Sequence, residues 1–378
     1  MPAALVNGRV LTAAGILDGH AVLIDGGKIA GVVPASDVPA SAERRDLGGG
    51  LLVPGYIDTQ VNGGGGVLFN DAPTADTIAA IGAAHRRFGT TGFLPTLISD
   101  DLEVVDQAMR ATEAAIEQGV PGVLGVHIEG PFLNPKRKGI HDEGKFRVID
   151  EAAIALLSSL KVGRTLVTLA PERTTPDMIQ RLADAGVHVA AGHTNALYKT
   201  MRQALDHGLT GVTHLFNAMS PLTSREPGVV GAVLEDQKAW AGIIVDGRHV
   251  DPTTLKIALR TRPLDRFMLV TDAMPTVGMA DKRFTLQGQE IVVRDGVCVG
   301  PGGTLAGSDL DMAGAVRNAV QMLDLRLEDA VMMASAAPAA FLGLDGQRGR
   351  IAQGHAADLC LLDEQLNVTA TWIDGVAA

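Results

Sequence analysis

The sequence predicts an α/β chain: a (β/α)8 TIM-like barrel with a small β-sandwich domain formed from both chain ends. Three observations lead there. Short β-type runs occupy the two ends, eight apolar runs punctuate the middle, and glycine is in excess at 45 of 378 residues, against an average share of roughly 7%. The glycines stand between apolar runs, where chain reversals need them, and form no linker.

The first fifty residues read as strands and turns, ALVNGRVLTA and AVLIDGGKIAGVV with a DGG turn. The C-terminal stretch GRIAQGHAADLCLLDEQLNVTATWIDG has the same pattern, so the two ends are expected to pair. Residues 1–52 and 344–378 are assigned to the small β domain and residues 53–343 to the barrel. The barrel strands centre on Ile57, Phe93, Val126, Val167, Val189, Thr213, Ile243 and Leu269, 22 to 41 residues apart. Each interval has room for a strand and a returning helix. Helical patterns follow in DTIAAIGAAHRRFG, with Asp76 as expected N-cap, in LEVVDQAMRATEAAIEQG, in PTTLKIALRT with Pro252 near its start, and in DMAGAVRNAVQML. No G-x-G-x-x-G opens a helix after the first strand, which favours the barrel over an open doubly wound sheet. FTLQGQEIVVRDGVCV reads as a hairpin inserted over the barrel mouth.

Forty-three acidic against 32 basic residues give a net charge of −11. With no Lys/Arg cluster apparent, neither a nucleic acid nor a membrane is expected as partner. Any anionic ligand must be met locally. Two cysteines, Cys298 and Cys360, are too few for a disulfide framework and suit a reducing compartment. MPAALVNGRV lacks a basic segment before an apolar stretch, and no apolar run reaches about 18 residues, so a cytoplasmic location is expected.

Residues just past the carboxyl ends of barrel strands share one pocket. Here they are Gln60 and Asn62 after the first strand, Glu129 after the third, His193 after the fifth, His214 after the sixth and Asp272 after the eighth. One such histidine is usually satisfied by a backbone hydrogen bond; four titratable groups at four strand ends carry more weight. Glu129, His193 and His214 match the three-ligand, open-position pattern of a catalytic divalent metal. Such an ion brings bound water from a pKa of 15.7 towards roughly 7. Asp272, in VTDAM, is the natural proton carrier between that water and a departing amine. Its competing reading is a surface turn aspartate. His141, in KGIHD, is placed to donate to a substrate carbonyl, against the alternative of a plain loop histidine.

PGYIDTQVNGGGG, GVHIEGPF, AGHTNA, THLFNAM, VTDAM and GTLAGS, with GHAADL near the C-terminus, together resemble the N-acetylglucosamine-6-phosphate deacetylase family of the amidohydrolase superfamily. The resemblance spans nearly the whole chain. It implies a metal-dependent barrel beside a small β domain, and hydrolysis of the acetamide of an amino-sugar phosphate to glucosamine 6-phosphate and acetate, in amino-sugar catabolism and cell-wall sugar recycling. It further implies that Glu129, His193 and His214 hold one divalent metal ion per subunit, zinc before iron or another transition metal. Asp272 becomes the general base and acid, His141 the group on the acetyl carbonyl, and the assembly a homodimer. Where many superfamily members carry His-x-His, this chain has Gln60-Val61-Asn62; amides are weak ligands, so Gln60 and Asn62 mark a vestigial second-metal position. TLVTLAPE offers no lysine to bridge two metals.

A phosphomonoester carries about 1.5 to 2 negative charges at pH 7. The resemblance assigns Arg225, His249, Asn217, Ala218 and Leu305 to the substrate together with His141, with part of the phosphate pocket lent by the neighbouring subunit. Read alone, Arg225 is a solvated loop arginine, and Arg248 is a weaker competitor. Gly63 to Gly66 lacks a P-loop context and is taken as a mobile loop near the sugar. His20, His85, His188, His207 and His355 are expected to be structural. For His127 the alternation of the strand leaves two readings, one of them beside Glu129 inside the barrel. The galactosamine epimer is the alternative substrate, and a metal-free scaffold the alternative class.

Overall fold

The chain opens a sheet that it completes only at its other end. In the computed structural model, which describes residues 3–377, the opening strands are β1 (Ala3–Thr12), β2 (Gly15–Asp25), β3 (Lys28–Pro34), β4 (Glu43–Asp46) and β5 (Leu51–Pro54). The barrel then begins with β6 (Tyr56–Val61), followed by a short hairpin of β7 (Gly63–Gly64) and β8 (Val67–Leu68), α1 (Ala75–Arg86), β9 (Thr90–Ile98) and α2 (Leu102–Glu117). It continues through β10 (Gly125–Glu129), α3 (Glu151–Leu157), β11 (Arg164–Leu169), α4 (Pro176–Asp184), β12 (His188–Ala191) and α5 (Tyr198–Asp206). β13 (Leu209–Val212), α6 (Gly228–Glu235), β14 (Trp240–Ile243), α7 (Pro252–Leu259) and β15 (Phe267–Leu269) complete the circuit. An antiparallel insert follows: β16 (Arg283–Leu286), β17 (Gln289–Arg294), β18 (Val297–Val299) and β19 (Leu305–Ser308). The last helices, α8 (Met312–Leu323), α9 (Leu327–Ala334) and α10 (Ala336–Phe341), return the chain to β20 (Leu359–Leu362), β21 (Val368–Ile373) and β22 (Val376–Ala377).

The first sheet runs β22-β21-β20-β5-β1-β2-β3, with β4 also on β1, so strands from both ends interleave in one eight-stranded unit. The join is β20 against β5, antiparallel from Leu359↔Pro54 to Leu362↔Leu51. Alternation places Leu5, Val22, Leu52 and Leu359 in one apolar cluster and Ala4, Ala21 and Val38 in another.

The second sheet takes the other strands in chain order, β6-β9-β10-β11-β12-β13-β14-β15, the eight units that the apolar runs predict. Its strands are buried on both faces; every residue of β9 is inaccessible, which is why these runs read as continuously apolar. The circle closes just beyond β15. There Asp58 accepts the Thr271 hydroxyl at 2.5 Å and the Thr271 N–H at 3.3 Å, while Asp272 N–H donates to Gln60 O at 3.0 Å and Asn62 N–H to Ala273 O at 2.9 Å. Burial pushes Asp58 up to about 7.

Two expectations change in detail. Thr74, extended at φ −129°, caps α1 by accepting the Thr77 N–H, and Asp76 already lies inside the first turn. Capping needs the non-helical residue. The insert after β15 has four strands, one hairpin more than FTLQGQEIVVRDGVCV alone suggests, and Ser308 at its end donates its N–H to Asp272 O at 2.8 Å.

Candidate active site

Glu129 ends β10, and His193, His214 and Asp272 follow β12, β13 and β15 at the same rim. His193 Nε2 and His214 Nε2 each lie 3.1 Å from Glu129 Oε1 and 3.1 Å from one another. Ligands about 2.0–2.1 Å from a tetrahedral zinc ion stand roughly 3.3 Å apart, so this triangle has the size of one coordination face. The tautomer fits as well. His193 Nδ1–H donates to Arg137 O at 2.9 Å, which leaves the Nε2 lone pair facing Glu129 and His214. Two imidazole nitrogens and a carboxylate, all buried, suit a divalent cation.

The backbone is bent to reach this arrangement. His193, His214, Phe216, Ala218 and Asp272 all have positive φ, between 31° and 80°, a sparsely populated region for residues with a Cβ. Gly307 makes room beside them: a Cβ there would lie 2.7 Å from Asp272 O.

Gln60 and Asn62 address the carboxylates. Gln60 Nε2 donates to Glu129 Oε2 and to Asp272 Oδ1, each at 3.1 Å, and Asn62 Nδ2 donates to the same Asp272 oxygen at 2.7 Å. Asp272 Oδ2 is thereby the oxygen left for chemistry. Burial, then the charge of Glu129, raises Asp272 to about 6. Burial also acts to raise Glu129, but the adjoining imidazoles of His193 and His214 hold its carboxyl well below the usual range. For His214 burial opposes the charged ring and Glu129 overrides it, leaving the pKa raised.

His141 packs on His193 with ring centroids 4.3 Å apart. Ser99 N–H donates to His141 Nδ1 at 3.3 Å, and the Ser99 hydroxyl lies 2.8 Å from it. Nδ1 therefore carries the lone pair, and the ring proton sits on Nε2. Burial, then His193, holds the His141 pKa well below its ordinary value, so the ring is a neutral donor.

Residues 51–378 match the amidohydrolase family, and residues 3–52 the NagA composite domain. This chain is a member of the amidohydrolase family. It is 43% identical to the N-acetylgalactosamine-6-phosphate deacetylase of Shewanella sp. (strain ANA-3), over 97% of this chain and 93% of that one. The N-acetylglucosamine-6-phosphate deacetylase of Pasteurella multocida superposes with a TM-score of 0.97 at 36% identity, covering 100% of both chains. An aspartate-to-alanine mutant of N-acetyl-D-glucosamine-6-phosphate deacetylase from Mycobacterium smegmatis, in complex with N-acetyl-D-glucosamine-6-phosphate, superposes with a TM-score of 0.92 at 36% identity, covering 100% of this chain and 99% of that one. The chain is thus a metal-dependent hydrolase of a family whose relatives are deacetylases.

In this amidohydrolase a cavity of about 510 Å³ stands over the triangle, and Asn217, Ala218, His249, Asp272 and Leu305 line it with His141. Arg225 does not line it and is exposed, on the loop before α6. The Asn217 N–H is not free for an anion either, since it donates to His214 O at 2.9 Å. His249 is held by Asp246, whose Oδ2 accepts from Nδ1 at 2.5 Å. The glycine run forms the β7/β8 hairpin and is pinned: Gly65 N–H donates to Val277 O at 2.8 Å, and His85 Nε2–H to Gly63 O at 2.9 Å. The expected mobile loop is in fact tied at both ends. His127 lies inside the barrel, with Nε2 2.7 Å from Thr168 Oγ1, and burial lowers its pKa to about 4.

Sequence reasoning passed over Lys136, Arg137 and Lys138, which line the same cavity. The expectation of no basic cluster is corrected here: the triplet reads plainly as KRK between Glu129 and His141. It passed over Ser99 and Glu172, whose roles depend on contacts between distant loops, and Asp246, which holds His249 three residues away.

Proposed function

We propose that this amidohydrolase removes the acetyl group of N-acetyl-D-glucosamine 6-phosphate, giving D-glucosamine 6-phosphate and acetate. The observation that carries the reading is the ligand triangle beneath a cavity whose other walls present the free Asp272 oxygen and the His141 Nε2–H. A divalent cation held by Glu129, His193 and His214, zinc in the first instance, supplies Lewis acidity and lowers the pKa of water there. Asp272 Oδ2 takes the proton of the attacking water and passes it to the sugar nitrogen as the C–N bond breaks. His141 donates to the acetyl oxygen while it carries negative charge. Gln60 and Asn62 orient Asp272 and leave no ligand pair for a second ion, because their NH₂ groups point at the carboxylates.

For the 6-phosphate, His249, Ala218 and Leu305 stand at the cavity in this chain, and Lys136, Arg137 and Lys138 join them. Arg225, exposed outside it, serves the phosphate by reaching the cavity of a second copy in a homodimer, which sedimentation of wild type and kinetics of Arg225→Ala test together. Cys298 and Cys360 are both free, in keeping with a cytoplasmic enzyme.

A second reading has its own support: the 43% identical Shewanella relative is named for the galactosamine epimer. Acetate release from both 6-phosphates, with zinc supplied, decides between them. A larger kcat/KM on the glucosamine compound supports the first reading, the reverse order the second, and no release from either overturns both.

A further inference from the structure

The hydrogen bonds around His193 close into a ring. Its backbone carbonyl accepts the Asn134 N–H at 2.9 Å. Asn134 Nδ2 donates to Glu172 Oε1 at 2.8 Å. That oxygen also accepts the Asn195 N–H at 2.6 Å, and Glu172 Oε2 accepts the Thr194 hydroxyl at 2.5 Å. Asn195 Oδ1 accepts from Arg137 Nε at 3.0 Å, and Arg137 O takes the His193 Nδ1–H at 2.9 Å, which returns the path to the imidazole. Glu172 sits after β11 in the short turn Pro171–Arg173, yet all three of its donors belong to the loops after β10 and β12.

His193 holds φ at 47°. A residue with a Cβ keeps that conformation, at a cost of about 1–3 kcal/mol, only where its surroundings over-determine it. Glu172 provides that constraint from both sides. It fixes Thr194 and Asn195, the two residues after His193, and it fixes Asn134, whose N–H holds the His193 carbonyl. Through Asn195 it also steadies Arg137, whose carbonyl sets the imidazole tautomer. Bonds to a carboxylate are roughly twice as strong as neutral ones, so this hub outweighs any other member of the ring.

We propose that Glu172 is a positioning residue for His193, presetting Nε2 towards Glu129 and His214 so that a metal ion is bound without rearranging the loops. The proposal rests on the metal-site reading above. Outer-shell partners of this kind change metal affinity about 10- to 100-fold when removed.

The test is a Zn²⁺ titration of the metal-free protein against a chromogenic chelator, with thermal unfolding of the same metal-free samples. Glu172→Ala is expected to weaken Zn²⁺ binding about 10- to 100-fold. Glu172→Gln, which keeps an acceptor for Asn134 and Asn195 but loses the charge, falls between that variant and wild type. Asn195→Ala opens the ring only at Arg137 and weakens binding less. Affinity in Glu172→Ala within about twofold of wild type overturns the proposal, including the case where only the unfolding temperature falls. If Glu172→Ala does not fold, the other two variants decide by the same criterion. A wild type that binds no Zn²⁺ removes the metal reading along with this one, whereas normal wild-type binding with unaffected variants removes the positioning role alone.

Discussion

The two ends of the barrel solve opposite problems with similar residues. At the amino end a cleft of about 770 Å³, larger than the cavity over the metal ligands, is lined by Arg202, Asp236, Trp240 and Arg266. Two of its cations are engaged: Arg202 bonds Asp236 at 2.9 Å, and the Arg266 guanidinium lies 4.4 Å over the Trp240 ring. Nearby, buried Arg262 donates to Val233 O at 2.8 Å and to Ala239 O. At the carboxyl end two imidazole nitrogens face each other across 3.1 Å, and five residues with side chains adopt positive φ. Both ends leave buried polar atoms unpartnered, Trp240 Nε1 and Arg262 Nε at one and Asn62 Oδ1 and His214 Nδ1 at the other, but only the carboxyl end gathers its ligand atoms on strained backbone. Size alone would point to the wrong end; converging metal-ligating groups held by strained backbone point to the right one.

Substitutions at the two ends are expected to differ in kind. The largest effect is expected from His214→Ala, which removes one corner of the triangle. Loss of several kcal/mol of electrophilic stabilisation corresponds to a fall in kcat/KM of about a thousandfold or more, with metal content near zero by elemental analysis. Retention of both would place the chemistry elsewhere. Asp272→Asn keeps the shape and removes the base, so kcat drops about 10²- to 10⁴-fold at unchanged metal content. Comparable turnover would take Asp272 out of the reaction.

The pH profile sharpens the same point. With Asp272 near 6, its proton-accepting form is lost below that pH, so kcat/KM of wild type climbs as pH rises through about 6 and falls towards tenfold per unit on the acid side. A rate that stays level from about pH 5 to 8 contradicts the assignment. The smallest effect on catalysis is predicted at the amino end. Arg262→Met strands two carbonyls and lowers unfolding stability by about 1–3 kcal/mol in denaturant titration, while kcat and KM of the folded fraction hold. A large change in kcat there would erase the distinction between the ends.

Much of this was legible in the residues. Eight apolar runs spaced for βα units give the barrel because period and spacing are local properties, and Glu129, His193, His214 and Asp272 could be placed at one rim because each directly follows such a run. What was not legible lies in relations between loops. Arg225 sits in a promising SREPG motif, but the path of its loop carries it away from the cavity. The KRK triplet is three residues in an acidic chain, and only the turn after β10 brings it beside His193 and the cavity. Thr74 displaces Asp76 as cap because the backbone leaves its extended conformation two residues earlier than the acidic side chain suggests. Glu172 looks like an ordinary acidic residue after a strand until three donors from two other segments meet it.

The pairing of β20 with β5 has a consequence for synthesis. A nascent polypeptide that has emerged only as far as α10 has built its barrel strands but still presents the bare backbone edge of β5, a site for illicit strand pairing. Only the final stretch seals it. A ribosome that terminates early therefore releases a product whose defect is exposed at the surface, where quality-control proteases and chaperones can recognise it.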